Sequence, residues 1–539
     1  MAEHLLEVRD LSVRFHTARE TVNAVNGISW HLDRGETLAI LGESGSGKSV
    51  SASAIMNLID CPPGEIVSGQ ILFEGQDLLC LDPEARRKIN GRRIAMIFQD
   101  PLSHLNPVYP VGWQIAEAGM AHGESRGDAF ARTLDLMRRV GIPDPAAAMR
   151  KYPQQFSGGQ RQRLMIAMAL VMKPDILIAD EPTTALDVTV QAEVLSLLEE
   201  LQEETGMGLL LITHDLGVVA ESADRAVVME GGRIVETGTP RDLYHNARHP
   251  YTRKLLAAAP GKGALRQPDD APEPILSVRG LSKSYGAFTA LKRADFDLRA
   301  GETLAVVGES GSGKSTIARL ILRLEDASGG QVLWQGDELL RKSPREMGRL
   351  RRQLQMVFQD PTQSLAPHMS IFDVISEAWV IHPDILPRKE WRARVVELLE
   401  QVGLRAEHAD RYPHQFSGGQ RQRIAIARAL ALEPQLIICD EAVSALDVSI
   451  QAQVIELLGR LRDNLGIAFI FIAHDLPVVR DFADRVMVMQ CGEVVEQGPV
   501  RQIFEAPREI YTQRLLAAGL DADPDVQAER RAARLALAG

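Results

Sequence analysis

Two short glycine-rich runs carry the most legible chemistry in this chain, GESGSGKS at residues 42–49 and again at 308–315. A G-x-x-x-x-G-K-[ST] run between a buried strand and a helix wraps its backbone N–H groups around phosphate oxygens, and the following helix adds the partial positive charge of its N-terminus. Gly42, Gly45 and Gly47, and in the second copy Gly308, Gly311 and Gly313, permit the close wrap. Lys48 and Lys314 are placed to reach the β- and γ-phosphates of a nucleoside triphosphate, and the Ser49 and Ser315 hydroxyls to ligate Mg2+. Ser44, Ser310 and Thr316 belong to the same phosphate-binding set.

Two further elements recur in the same order. DILIAD and QLIICD are apolar strands that end in acid pairs, Asp180-Glu181 and Asp440-Glu441. Side chains alternate along a strand, so the two acids point differently and can take separate tasks. Asp180 and Asp440 suit the Mg2+ shell, through water. Glu181 and Glu441 suit polarising or deprotonating an attacking water. Ser157-Gly158-Gly159-Gln160 and Ser417-Gly418-Gly419-Gln420 each open a helical run. A Ser N-cap followed by glycines leaves outward-facing N–H groups, an anion site at a helix start.

The elements that must position these residues are themselves duplicated. The glycine loops lie 266 positions apart, while the SGGQ, Asp-Glu and His-Asp elements each lie 260 apart. A nearly constant offset over unrelated motifs means two whole domains. Each half opens with alternating apolar residues (LLEVRDLSVRF, ILSVRGLSKSY) that predict β-strands, followed by a second strand, a buried strand (TLAILG, TLAVVG), the glycine loop and a helix. Residues 110–155 and 370–415 have a helical pattern, and each half closes on short buried strands. The reading is α/β, two P-loop NTPase domains, each with a mixed, mostly parallel sheet and a helical subdomain carrying SGGQ near its end. The expected boundaries are a first domain at 1–258, a Pro/Gly-rich linker at 259–273, a second domain at 274–519, and a tail at 520–539 that could form a short helix but reads better as frayed or disordered.

Bulk composition narrows the class. A length of 539 residues is too great for one core and suits two domains. A net charge of −12 argues against a basic groove for nucleic acid. Cys61, Cys80, Cys439 and Cys491 form no C-x-x-C pair, so neither a disulfide framework nor a metal cage is expected; most are expected to be buried small hydrophobes. No apolar run approaches the roughly 18 residues needed to span a bilayer, and the N-terminus lacks a signal-peptide pattern. The expectation is a soluble, unprocessed chain whose membrane part, if any, is supplied by other chains.

Glycine loop, FSGGQRQR, Asp-Glu, A-L-D (residues 185–187 and 445–447) and His-Asp, in that order and twice, resemble the nucleotide-binding domains of ABC transporters over about residues 5–517. The resemblance implies an ATPase in which two domains pair head to tail within the chain, so that no homodimer is required. Lys48 with Ser417 would then bound one ATP, and Lys314 with Ser157 the other. It implies glutamine-loop roles for Gln99 and Gln359, at Mg2+, at the attacking water and toward the membrane subunits. It makes His214 and His474 switch histidines at the γ-phosphate, puts Phe15 and Tyr285 on adenine, and puts Asp187 and Asp447 between the halves. Ala442 stands where the family usually has proline, a change expected to alter the turn rather than the chemistry.

QDPLSHLNP (99–107), RHPYTRKLL (248–256) and ALDVTVQAEV/ALDVSIQAQV resemble the oligopeptide/dipeptide/nickel importer branch, and within it fused ATPases for microcin C-like peptides, with glutathione import a near competitor. This implies two membrane-spanning permeases, a periplasmic peptide-binding protein and a place on the cytoplasmic face of the inner membrane. Many members of that branch carry a cysteine-rich segment after H-P-Y-T; none stands here, so no iron–sulfur cluster is expected. A soluble tandem ATPase acting on ribosomes shares the motifs, but the short Pro/Gly-rich seam and acidic charge disfavour it. A sugar-importer ATPase is disfavoured by the peptide-branch segments.

Overall fold

The alternation that opens each half becomes a bulged inner strand of antiparallel sheet. In the strand Leu6–His16, Leu6, Val8, Leu11 and Val13 are buried, and the period of two slips between Arg9 and Ser12. Asp10 takes a positive φ of 46° there, the extra residue of a β-bulge that returns Leu11 to the core side. The Asp10 N–H donates to Ser29 Oγ at 2.9 Å. The description of the computed structural model covers residues 4–17, 20–100, 104–184, 186–263, 265–266, 273–360, 364–443 and 446–538. Residues 101–103 and 361–363 of the glutamine loops, Ala185 and Ala445, and residues 264 and 267–272 of the expected linker lie outside them.

The chain divides into two units, one of Met1–Ala259 with Leu520–Ala536, the other of Pro260–Gly519 with Leu537–Gly539. In the first, a four-stranded antiparallel sheet has the order Thr21–Leu32, Leu6–His16, Gly64–Phe73, Gln76–Asp77. A six-stranded sheet has the order Arg233–Gly238, Arg225–Glu230, Thr37–Leu41, Gly208–Thr213, Ile176–Asp180, Ile94–Ile97. All its pairings are parallel except that of the edge strand Arg233–Gly238. Thr37–Leu41 and Ile176–Asp180 are buried along their whole length, as parallel strands covered on both faces must be. The second unit repeats this plan. There one parallel pairing, Arg293 with Glu493, joins the two layers into a single ten-stranded sheet.

One core of the first unit lies between the two sheets around the helix Lys48–Ile55, with Leu6, Val8, Trp30, Ile40, Ile55 and Ile178 in it. A second lies beneath the helices Val111–Ala121, Arg126–Arg139 and Gly158–Leu170, the expected helical subdomain. Among the described residues no helix is long and apolar enough to cross a membrane.

Two expectations are corrected. The tail is a helix, Pro524–Ala538, and residues 520–536 belong to the first unit. Leu520 joins that unit's core cluster, which also holds Leu136 and Val218, and Gln527 is buried, which no frayed end would be. The cysteines are mostly not core residues either. Only Cys439, in the strand Leu436–Asp440, is buried; Cys61, Cys80 and Cys491 are exposed, since they fall in turns and edges that the apolar pattern does not reach.

Candidate active sites

The carboxyl ends of neighbouring parallel strands bring the candidate residues to one edge of each sheet. In the first unit Thr37–Leu41 feeds the glycine loop, Ile176–Asp180 ends on the acid pair, Gly208–Thr213 leads into His214 and Ile94–Ile97 leads toward Gln99. Open α/β sheets bind ligands at such an edge.

The glycine loops need their glycines. Gly47 has φ 97°, and a Cβ there would lie 2.4 Å from the Ala24 carbonyl oxygen; at Gly313, φ 102°, the Ala290 oxygen would lie 2.8 Å away. Lys48 Nζ donates to the carbonyls of Gly42 and Glu43 at 2.7 and 2.9 Å, and Lys314 Nζ to those of Gly308 and Glu309 at the same distances. Both lysines are buried. Ser44, Gly45, Ser310 and Gly311 are exposed at the loop tips, and Thr316 is half-buried in the first turn of the helix Lys314–Ile321.

Sequence reading passed over Ser46 and Ser312, which are buried with hydroxyls that have no hydrogen-bond partner among the described residues. A buried ammonium, wrapped amides and an unpaired hydroxyl fit phosphate oxygens. It also took the Y of P-Y-T only as a family mark. Tyr251 Oη accepts from the Glu43 N–H at 3.0 Å, and Tyr511 Oη from the Glu309 N–H at 3.3 Å, so this tyrosine braces each glycine loop.

Ser49 Oγ donates to Asp180 Oδ1 at 3.1 Å, and Ser315 Oγ to Asp440 Oδ1 at 2.8 Å. Burial pushes Asp180 up to about 6 against the opposing Ser49 hydrogen bond, with the Glu181 charge adding to the rise; burial raises Asp440 too. Buried carboxylate oxygens beside a hydroxyl, short of positive charge, are a hard-oxygen set that fits Mg2+.

Glu181 and Glu441 both take φ 48°, and each donates its N–H to the next strand, to Ile212 O at 2.8 Å and Ile472 O at 2.9 Å. The turn expected to change at Ala442 is therefore unchanged, because this cross-strand hydrogen bond fixes it rather than a proline. Gln99 Nε2 donates to Glu181 Oε2 at 2.7 Å, and Gln359 Nε2 to Glu441 Oε2 at 2.7 Å. The sites differ at the histidine. His214 Nδ1 lies 3.0 Å from Glu181 Oε1, whereas His474 Nδ1 lies 3.8 Å from Glu441 Oε2, beyond hydrogen-bond reach. Thr184 Oγ1 also donates to Glu181, at 2.9 Å. Burial works against charge on Glu181, but His214, Thr184 and Gln99 outweigh it and hold the carboxyl at about 2.

At the SGGQ starts the serines are N-caps. Ser157 Oγ accepts from Gln160 N while Gln160 Oε1 accepts from Ser157 N, a capping box that Ser417 and Gln420 repeat. The two glycines are not equivalent. Gly158 and Gly418 are exposed, with open or ordinary contact space at their Cβ positions. A Cβ on Gly159 would lie 2.6 Å from Val190, and one on Gly419 2.2 Å from Ile450. So the first glycine leaves an approach open, and the second lets this helix pack on Val188–Thr205 or Val448–Leu465. Gly159→Ala should cost about 1–3 kcal/mol of unfolding free energy and Gly158→Ala under about 1, measured by denaturant titration.

Phe15 is half-buried against the sheet core, and Tyr285 is exposed, bonded to Glu325 with Lys283 Nζ 4.8 Å from its ring centroid. Asp187 and Asp447 are the N-cap residues of Val188–Thr205 and Val448–Leu465.

Known proteins resemble this chain over most of its length. The ABC transporter family matches residues 25–184 and 291–444, and the oligopeptide/dipeptide transporter C-terminal region matches 235–277 and 495–537. The chain is 47% identical over 572 residues to the glutathione import ATP-binding protein GsiA of Escherichia coli O157:H7, covering 98% of this chain and 92% of that protein. The same protein of Shigella dysenteriae Sd197 is 47% identical with the same coverage, and that of Escherichia coli K12 is 46% identical. Among solved structures, a dimeric ATP-binding cassette, MJ0796, in a post-hydrolysis state with ADP and Pi aligns with 42% of this chain and 99% of that one, at 29% identity and TM-score 0.39. The cbiO1 protein of Clostridium perfringens aligns with 45% of this chain and 95% of that one, at 32% identity and TM-score 0.41. The chain belongs to the ABC transporter family, as an ATPase with two nucleotide-binding domains in tandem, each followed by the oligopeptide/dipeptide transporter C-terminal region.

Proposed function

We propose that this ATPase energises import of a short peptide or peptide-like compound across a bacterial inner membrane, from the cytoplasmic face, through two membrane-spanning permeases fed by a periplasmic binding protein. The observation that carries the reading is the pairing of two fully equipped sites with two copies of the peptide-transporter C-terminal region. The similarity to glutathione importers favours a glutathione-like tripeptide over a microcin C-like cargo. Nothing in the composition points to nucleic acid.

Within each site the buried lysine and the loop amides hold the β- and γ-phosphates of ATP. Ser49 and Asp180, and Ser315 and Asp440, hold Mg2+, which when bound neutralises charge on the phosphates. Glu181 and Glu441 accept a proton from the attacking water while Gln99 and Gln359 keep their carboxylates aimed. His214 hydrogen-bonds the same carboxylate and can follow its charge through the reaction. Phe15 and Tyr285 would stack on adenine.

Uptake into proteoliposomes tests the cargo. The chain, reconstituted with its permeases and binding protein, should accumulate labelled glutathione in an ATP-dependent way. Accumulation of longer peptides but not glutathione would move the reading back to an oligopeptide cargo. ATP turnover unaffected by either, in the complete assembly, would overturn import of peptides.

A further inference from the structure

The helices that follow the two switch histidines share an unusual feature. Leu216–Ser222 starts directly after His214-Asp215, and Leu476–Phe482 after His474-Asp475; Asp215 and Asp475 cap them. Each helix carries an acid in its last turn, Glu221 and Asp481, at matching positions of the two halves. Each acid is gripped by a segment from far along the chain.

In the first unit the grip comes from the C-terminal tail. Glu221, 8% exposed, accepts from Gln527 Nε2 and from Arg534, both on the helix Pro524–Ala538. Gln527 is itself 1% exposed, and its Oε1 accepts from the Asp521 N–H at 2.7 Å. Arg531 reaches Glu199 on the neighbouring helix Val188–Thr205 at 2.5 Å. The approach is close enough to require glycine: a Cβ on Gly217 would lie 2.7 Å from Leu520 Cβ. In the second unit the chain just after the first domain does the same. Asp481 accepts from the N–H groups of Gly261 and Gly263 at 2.6 and 2.9 Å, and Arg480 returns a hydrogen bond to the Gly261 carbonyl. Pro477, the counterpart of Gly217, lies 3.4 Å from a Cβ built on Gly261. Arg266 Nε adds a hydrogen bond to Asp484 at 3.1 Å.

An exposed salt bridge would contribute little, but Glu221 is buried and its bond to Gln527 is a buried charge-assisted hydrogen bond, so losing the partner leaves the carboxylate unsatisfied. We infer that the tail helix, through Gln527 and Arg534, is a positioning element for hydrolysis. It fixes the helix that orients His214 toward Glu181, so the C-terminal end of the chain tunes turnover at the first unit's site. Residues 261 and 263 do the equivalent for His474. Nucleotide binding, which depends on the glycine loop on a different strand end, does not pass through this grip. The inference rests on the proposed role of His214 and Glu181 in hydrolysis.

The test uses the full chain with Gln527→Ala and Arg534→Ala combined, beside Arg534→Lys with Gln527 kept. The double variant should lose about 3- to 10-fold in kcat with KM for ATP nearly unchanged, while it melts somewhat lower but stays folded at the assay temperature and amide exchange at residues 218–222 quickens. Arg534→Lys, which keeps the charge, should recover most of kcat. Faster exchange at 218–222 with unchanged kcat would overturn the positioning role, as would a kcat loss matched by loss of folded protein. Failure of the hydrolysis assignment itself shows separately, as undiminished turnover when Glu181 and Glu441 are both replaced by Gln.

Discussion

Replacing Glu181 and Glu441 together by Gln should leave a protein that binds ATP and hydrolyses it about a hundred- to ten-thousandfold more slowly, the usual worth of a positioned general base. The substitution is nearly isosteric, so Gln99, Gln359 and Thr184 can still donate to the side-chain oxygen that remains. The change removes the proton acceptor and leaves the glycine loops alone. Phosphate release measures the first effect and a fluorescent-nucleotide titration the second. The single variants are informative because the sites differ: His214 Nδ1 lies 3.0 Å from Glu181, whereas His474 Nδ1 lies 3.8 Å from Glu441. Wild-type phosphate release from the double variant would remove both glutamates from the mechanism.

Replacing Lys48 and Lys314 by Ala should weaken ATP binding at each site by about 10- to 100-fold, the scale of one charged hydrogen bond of about 1.5–3 kcal/mol. Each ammonium is buried and already ties two carbonyls of its own loop, so its loss also loosens the wrap that presents the amides. Arginine should not rescue, since a planar guanidinium does not fit a seat built for a compact ammonium. The same titration reads this result. An unaltered Kd in the doubly substituted protein would mean that the triphosphate is held elsewhere.

These two substitutions separate functions that the fold places side by side. Glycine loop, acid pair and histidine end adjacent strands, yet the lysine grips backbone of its own loop and the glutamate is held by side chains from the neighbouring strand ends. Binding and turnover should therefore fail independently.

Much of this was legible in the residues alone. The glycine loops, the acid pairs and the SGGQ starts are local: strand, turn and helix start form from a short contiguous stretch whose backbone needs fix the residue types. Burial of Thr37–Leu41 and Ile176–Asp180 likewise follows from unbroken apolar runs. Repetition at a constant offset gave two domains without reference to any contact.

What the sequence could not determine is what distant segments do to one another. Ser46 and Tyr251 carry no motif signal for their roles, because a buried unpaired hydroxyl and a brace on a loop some two hundred residues away exist only once the chain has closed. The second glycine of SGGQ reads as an anion-site residue, but Val190 makes it a packing residue as well. The tail reads as frayed since its pattern is weak by itself, and a short helix is marginal without a face to bury. Leu520, Gln527 and Arg534 find that face on the first unit. The sequence by itself determined the chemistry, because phosphate binding is written in short-range backbone geometry. Only the tertiary structure decided how that chemistry is held in place, because the groups that hold it are paired across the chain by burial, which leaves no local trace.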